Sequence, residues 1–254
     1  MRVAGLVEYD GTDFAGWAAQ PDQRTVEGTL GGALETVLRR PVKLAVAGRT
    51  DAGVHAAGQV VSFDVDTGLP PDNIAYRTTA VLPKDVALRQ CVVVPESFDA
   101  RKNARSRSYE YKVVNAPVRS ALRWRHTMYV ARSLDYRVLR KTGELVNGTH
   151  DFRAFTPSKT YHVRFERVIE KSLWRKEGDR LTYEITADSF LYGMVRTLVG
   201  TMLEVAQDKR EVEDFEQLLA GGRRTEAGFA VPARGLTLTD VGYDLDLWGD
   251  EEHG

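Results

Sequence analysis

The stretch Val42-Lys43-Leu44-Ala45-Val46-Ala47-Gly48-Arg49-Thr50-Asp51-Ala52-Gly53-Val54-His55-Ala56-Ala57-Gly58-Gln59-Val60-Val61-Ser62-Phe63-Asp64-Val65 decides how this chain reads. Two apolar runs, 42–47 and 59–65, are strand-like, and a glycine-punctuated loop joins them. Glycine accepts backbone angles that other residues resist, so such a loop can hold one side chain in a fixed, outward pose. Within it Arg49 stands two residues before Asp51. A neighbouring guanidinium favours the ionised carboxylate, and its planar fork gives it a defined orientation. A held, ionised, accessible carboxylate suits a nucleophile or a base. In isolation, a Gly-Arg-Thr-Asp string would suggest only a turn-capping aspartate.

On either side of this loop the periodicity builds a first half. Residues 2–9 form a buried strand, and Val26, Leu30, Leu34, Val37 and Leu38 make the stripe of a helix over 26–39. A short helix over 72–81 and a strand over 86–94 follow. Strand, helix, strand, strand, helix, strand is the order of a ferredoxin-like (RRM-like) unit. The pattern partly restarts with a strand over 108–115, a helix over 134–146, and a hairpin from 163–174 with 180–187. A helix over 190–205 and a last strand over 241–245 complete it. The expectation is an α+β protein with two ferredoxin-like halves, residues 1–106 and 107–245, and an acidic tail at 246–254.

Composition narrows the class. The 254 residues suffice for one large domain or two small ones; 43% hydrophobic and 28% charged content is that of an ordinary soluble protein. Glu8 and Asp10 interrupt the only early apolar run, so no signal peptide is read, and no stretch reaches the roughly 18 apolar residues of a membrane span. A single cysteine, Cys91, excludes an intramolecular disulfide and a thiolate metal cluster. The five histidines are scattered without an HExxH pattern, so no metal site is expected. A cytoplasmic location follows as the default. The net charge of −1 hides an uneven distribution, since residues 240–252 hold six acids and no lysine or arginine. Between Arg101 and Arg125 there are eight basic residues and one acid, Glu110. Such a run could line a phosphate track, and the interleaved Tyr109, Tyr111 and Trp124 suit stacking on unpaired bases.

The loop string resembles the catalytic loop of the TruA-type tRNA pseudouridine synthases. Tyr9-Asp10-Gly11-Thr12 with Phe14, Gly16, Trp17 and Gln20, and Arg24-Thr25-Val26-Glu27-Gly28, resemble that family's opening segments. Phe98-Asp99-Ala100-Arg101 and Arg107-Ser108-Tyr109-Glu110-Tyr111 resemble its middle block. His150-Asp151-Phe152 with Phe155, Ser189 through Arg196, and Ala233-Arg234-Gly235-Leu236 resemble the later blocks, in family order.

The resemblance implies that the two halves join in a continuous, mainly antiparallel sheet with helices on one side and a central RNA-binding cleft floored by Asp51. It implies isomerisation of uridine in the anticodon arm of tRNA, at positions 38 to 40, by a homodimer. The reaction has no net redox change, so no electron-carrying cofactor is expected. Asp51 is the implied nucleophile. Arg49 would lie near the RNA backbone and help extrude the uridine, offsetting part of the few kcal/mol that unstacking costs. Tyr109 would pack on the target uracil and assist transfer of the C5 proton; a core role is the alternative for it and for Tyr111 on the same strand face. Arg196, within an apolar helix, needs a partner, which the resemblance implies is Asp51. Arg101 and Arg107 are candidate RNA contacts. His55 titrates near neutral pH but is read as a structural loop residue, and Asp10 as a turn residue.

Ala18, Thr79 through Pro83, Asp188 and Gly193 depart from the family pattern; they touch RNA contacts rather than the catalytic set. Two other classes remain open at this stage. One is a non-catalytic RNA-binding module on the same scaffold. The other is a glycoside hydrolase, which would want a second carboxylate about 5 to 10 Å from Asp51.

Overall fold

The computed structural model describes residues 1–159 and 163–249. It divides into two units, one of residues 1–107 with 238 onward, the other of residues 108–237. Among the described residues, strands and five α-helices coexist without a regular βαβ alternation, an α+β arrangement. No helix among the described residues is long and apolar enough to cross a membrane.

In the first unit β1 (Arg2–Tyr9) is central, antiparallel to β3 (His55–Asp64) on one side and β4 (Val86–Val94) on the other. The free edge of β3 is shared by the two-residue β2 (Ala45–Val46), opposite Val61 and Ser62, and by β10 (Leu236–Tyr243). Helix α1 (Val26–Leu38) starts where the Thr25 side chain accepts the Gly28 N–H and stops at Arg39, whose φ of 55° leaves the helical region. Helix α2 (Pro71–Val81) opens on a proline, whose missing N–H costs nothing in a first turn. Val3, Val7, Leu30, Leu34, Val61, Phe63, Ile74 and Leu88 form the dry core. The register of β1 against β3 slips between Val7↔Gln59 and Tyr9↔Ala56, which gives β3 one extra residue just after the Asp51 loop.

The second unit has strand order β5-β9-β8-β7: β5 (Ala104–Asn115), β9 (Arg180–Ala187), β8 (Glu166–Glu177) and β7 (Gly148–Asp151). β8 and β9 form an antiparallel hairpin, while β6 (Met128–Val130) runs parallel to β5, making the strand pattern mixed. Helix α3 (Tyr136–Leu145) is capped by Asp135, which accepts the Arg137 N–H. Helices α4 (Met194–Val205) and α5 (Val212–Leu219) complete it around Phe152, Phe155, Leu198, Met202 and Phe215.

Several sequence boundaries move. The strand expected over 42–47 survives only as β2, and β3 begins at His55 rather than 59, so the loop is shorter than its glycines suggested. The helix expected from 190 starts at Met194, because Gly193 sits at φ +68° and interrupts the helical run that the apolar pairs had suggested. The last strand is Leu236–Tyr243, not 241–245. The hairpin's first strand begins at Glu166; residues 160–162 lie outside the described ones. α5, β6 and β7 were not expected. Beyond Gly242, Tyr243 donates its hydroxyl to Ala100 O at 2.7 Å, Asp244 pairs with Arg105, and Leu247 is buried; the acidic run 250–254 lies outside the described residues.

Candidate active site

The turn that carries Asp51 is held from the segment following β1. Trp17 N–H donates to Thr50 O (3.1 Å) and Gly53 N–H to Phe14 O (3.3 Å), while Val54 N–H closes onto Asp51 O (3.2 Å). Gly16 has φ +101°, and a Cβ there would lie 3.0 Å from Thr50 O and 3.2 Å from Ala52 N. A side chain at 16 would push the loop outward. The result is a half-buried Asp51 with an exposed Arg49 two residues before it.

Buried polar side chains hold the same turn from the sheet. The Tyr9 hydroxyl meets Thr50 Oγ1 at 2.7 Å, and Gln59 Nε2 donates to Gly48 O at 2.7 Å and to Tyr9 Oη at 3.4 Å. Burial pushes the Tyr9 phenol up to about 12, against the opposing hydrogen bonds of Thr50 and Gln59, so it stays a neutral donor at physiological pH. Sequence reasoning assigned Tyr9, Thr50 and Gln59 no role. The signal was there for Gln59, an amide set against the apolar run Val60-Val61 of β3.

His55 is buried, its Nδ1 3.1 Å from Gly11 N and 3.1 Å from Asp10 Oδ1. One imidazole nitrogen carries either a proton or a lone pair, so it serves the carboxylate or the amide, not both at once. Asp10 Oδ1 also accepts from Thr12 N–H (3.0 Å) and Thr12 Oγ1 (2.6 Å), capping the short 3-10 turn Gly11–Asp13. Both residues are thus engaged with the turn at 10–13.

Of the basic candidates, Arg107 donates to Ala47 O (2.8 Å), at the start of the Asp51 loop, and also to Arg101 O (3.2 Å) and Ala104 O (3.3 Å). Arg101 is exposed. Along the basic run Lys112 pairs with Glu110 and Arg123 with Asp179, whereas Arg125 lies 5.7 Å over the Trp124 ring.

In the second unit Tyr109 is buried on β5, edge-on to Phe190 with centroids 5.1 Å apart. Tyr111, two residues on, is a core residue: it is fully buried, and its hydroxyl donates to Pro232 O at 2.8 Å. Burial raises the Tyr111 phenol well above its ordinary range, a rise opposed by the nearby Arg196 and Arg234 cations. Arg196, half-buried on α4, donates from Nε to Val231 O at 2.7 Å, and Val231 N–H returns a bond to Arg196 O at 3.2 Å. The first unit therefore brings Arg49, Asp51 and Arg107 to one loop, and the second brings Arg196 beside Tyr111.

Residues 6–101 and 144–244 match the model of a protein family described as tRNA pseudouridine synthase. The chain is 38% identical over 239 residues to the tRNA pseudouridine synthase A of Halalkalibacterium halodurans, covering 93% of this chain and 90% of that one. It is 37% identical over 242 residues to the enzyme of the same name from Brevibacillus brevis, covering 95% and 99%. To the one from Leifsonia xyli it is 38% identical over 262 aligned positions, covering 94% and 91%.

Proposed function

The chain belongs to the tRNA pseudouridine synthase family, and on that premise we propose that it isomerises uridine to pseudouridine in the anticodon stem-loop of tRNA, at positions 38 to 40. The C1′–N1 bond breaks, the uracil turns, and a C1′–C5 bond forms; C5 gives up its proton and N1 gains one. Nothing is oxidised or reduced, and no cofactor enters the step. Asp51 is the nucleophile in this reading. The observation that carries it is the Asp51 turn, a carboxylate held half-buried by hydrogen bonds on both flanks in a chain whose residues 6–101 and 144–244 match the family.

The other roles follow the same reading. Arg49, exposed beside Asp51, contacts the RNA and fills part of the space the uridine leaves. Tyr109 packs on the uracil and assists removal of the C5 proton, Arg196 keeps a carboxylate ionised, and Arg101 and Arg107 meet phosphates. For the architecture we infer ferredoxin-like halves at 1–106 and 107–245, with a tail at 246–254. The sheet order β4-β1-β3-β2, with α1 and α2 in the crossovers, supports this for the first half. We also infer a cytoplasmic homodimer; a monomeric mass by light scattering would overturn the dimer.

The test is tritium release from tRNA labelled at uridine C5. Asp51→Asn, which keeps shape and removes charge, is expected to lower release at least about 10³-fold while tRNA binding stays nearly intact. Undiminished release by that variant would remove Asp51 from the chemistry. Binding without release by the unaltered protein would make it an RNA-binding module.

A further inference from the structure

We propose that Tyr9, Thr50 and Gln59 are positioning residues for this reaction, a buried hydrogen-bonded set that fixes the direction in which Arg49 and Asp51 leave the main chain. The inference rests on the reading of Asp51 as the reacting carboxylate.

Gln59 is fully buried, Tyr9 is 3% exposed and Thr50 7%. A polar group is costly in such a place unless every hydrogen bond is made, and an apolar side chain would fill the space without that demand. The amide of Gln59 is oriented at both ends. Its Oε1 accepts the Val60 N–H (3.2 Å), and its Nε2 reaches Gly48 O and Tyr9 Oη. Gln59 donates to the phenol oxygen, and the phenol meets Thr50 Oγ1, either hydroxyl being able to donate, so the three side chains form one connected set.

What the set grips is specific. Gly48 and Thr50 are the two neighbours of Arg49, and Thr50 is the residue before Asp51. Thr50 is held at Oγ1 by Tyr9 and at its carbonyl by Trp17 N–H. Two anchors on one residue fix the plane of the peptide that leads into Asp51. Tyr9 and Gln59 come from the neighbouring strands β1 and β3, so the loop inherits rigidity from the sheet as well as from its own short span. A reacting group misplaced by 1 Å can lose about 100-fold in rate, which makes this kind of support visible in chemistry.

The experiment is single-turnover tritium release from C5-labelled tRNA at saturating enzyme, with tRNA affinity and urea unfolding measured on the same samples. Thr50→Val keeps the shape and removes the hydroxyl, Thr50→Ser keeps the hydroxyl, and Tyr9→Phe removes only the phenol oxygen. Thr50→Val and Tyr9→Phe are expected to be about 10- to 100-fold slower with tRNA affinity within about twofold, and Thr50→Ser to return to within about threefold of the unaltered rate. Rates within about twofold in both hydroxyl-deleted variants would overturn the proposal, as would a Thr50→Ser as slow as Thr50→Val. If neither Thr50→Val nor Tyr9→Phe folds, the set is structural and the proposal fails. Asp51→Asn is run alongside. Release by that variant sinks the Asp51 reading itself, whereas an inactive Asp51→Asn beside a fast Thr50→Val sinks only the positioning role.

Discussion

The turn around Asp51 hangs partly from side chains: a phenol and a glutamine amide reach it from the sheet, the phenol meeting the hydroxyl of Thr50 in the turn itself. The helix that carries Arg196 is held by main chain and close approach instead. Val231 exchanges backbone and guanidinium bonds with Arg196, and one turn on, Gly200 admits the Phe229 carbonyl against the helix. The first kind of support demands a particular functional group, so an isosteric change breaks it. The second demands a particular size, so it tolerates polarity changes but no added atom. The two regions therefore fail to different substitutions.

The largest effect on stability should come from size. A Cβ at Gly200 would stand 1.8 Å from Phe229 O, a backbone atom that cannot swing away. In an ordinary helix interior Gly→Ala is worth up to about 1 kcal/mol of stabilisation, so the sign of the effect is itself the test. Here Gly200→Ala is expected to destabilise by about 3 kcal/mol or more, because overpacking against fixed main chain has nowhere to relax. Urea midpoints would show it. A neutral or stabilised variant would mean that residues 228–231 do not press on α4, and the contrast between the two regions would collapse.

Tyr111→Phe sharpens the same contrast by one atom. It removes the donor to Pro232 O and leaves the ring in place. The half-buried carbonyl would keep only the long 3.5 Å bond from Gly235 N–H, so the variant should unfold earlier in urea by about 1 kcal/mol. If it unfolds like the unaltered protein, the Pro232 carbonyl has found another donor, and segment 232–235 is looser than the packing of Tyr111 implies.

How much of this was legible in the sequence follows from the same physics. β1 and β4 match the expected ranges because each is an apolar run stopped by turn residues, Asp10-Gly11 after β1 and Pro95 after β4, and α1 and α2 are off by one residue. The Asp51 loop was readable because its glycines, arginine and aspartate are contiguous. Its supports were not: Tyr9 and Trp17 lie far from the loop along the chain, and Gln59, only eleven residues past Gly48, turns back onto it once β3 folds against β1. The start of α4 was misread because Phe190-Leu191 continues the apolar pairing of the helix, and periodicity does not register that Gly193 takes a left-handed backbone. β2 was overestimated because a strand's length depends on its partner's register, and β3 offers 42–47 only two opposing residues. Basic residues were easy to count, but sequence could not say that Arg105, Lys112 and Arg123 are each matched to an acid.

The weakest kind of support is purely ionic, and it sets the lower end of the comparison. On the β8–β9 hairpin Glu184 is half-buried between Lys171 and Arg175, each 2.6 Å away. Burial alone would raise its carboxyl, but the hydrogen bonds from the two cations outweigh this and hold it below the usual carboxylate range. A carboxyl depressed in the folded state adds stability above its unfolded value, near about 4.3, and loses it as pH falls through the folded value. Glu184→Gln should therefore cost up to about 1 kcal/mol at pH 7, and the gap should close as the pH is taken from 5 toward 3. Added salt at pH 7 should narrow it too, since the pair is partly exposed to solvent. Urea unfolding of both proteins across that range is the check. A gap that persists unchanged at pH 3 would mean that Glu184 holds the hairpin by shape, as Gly200 holds α4, and not by charge.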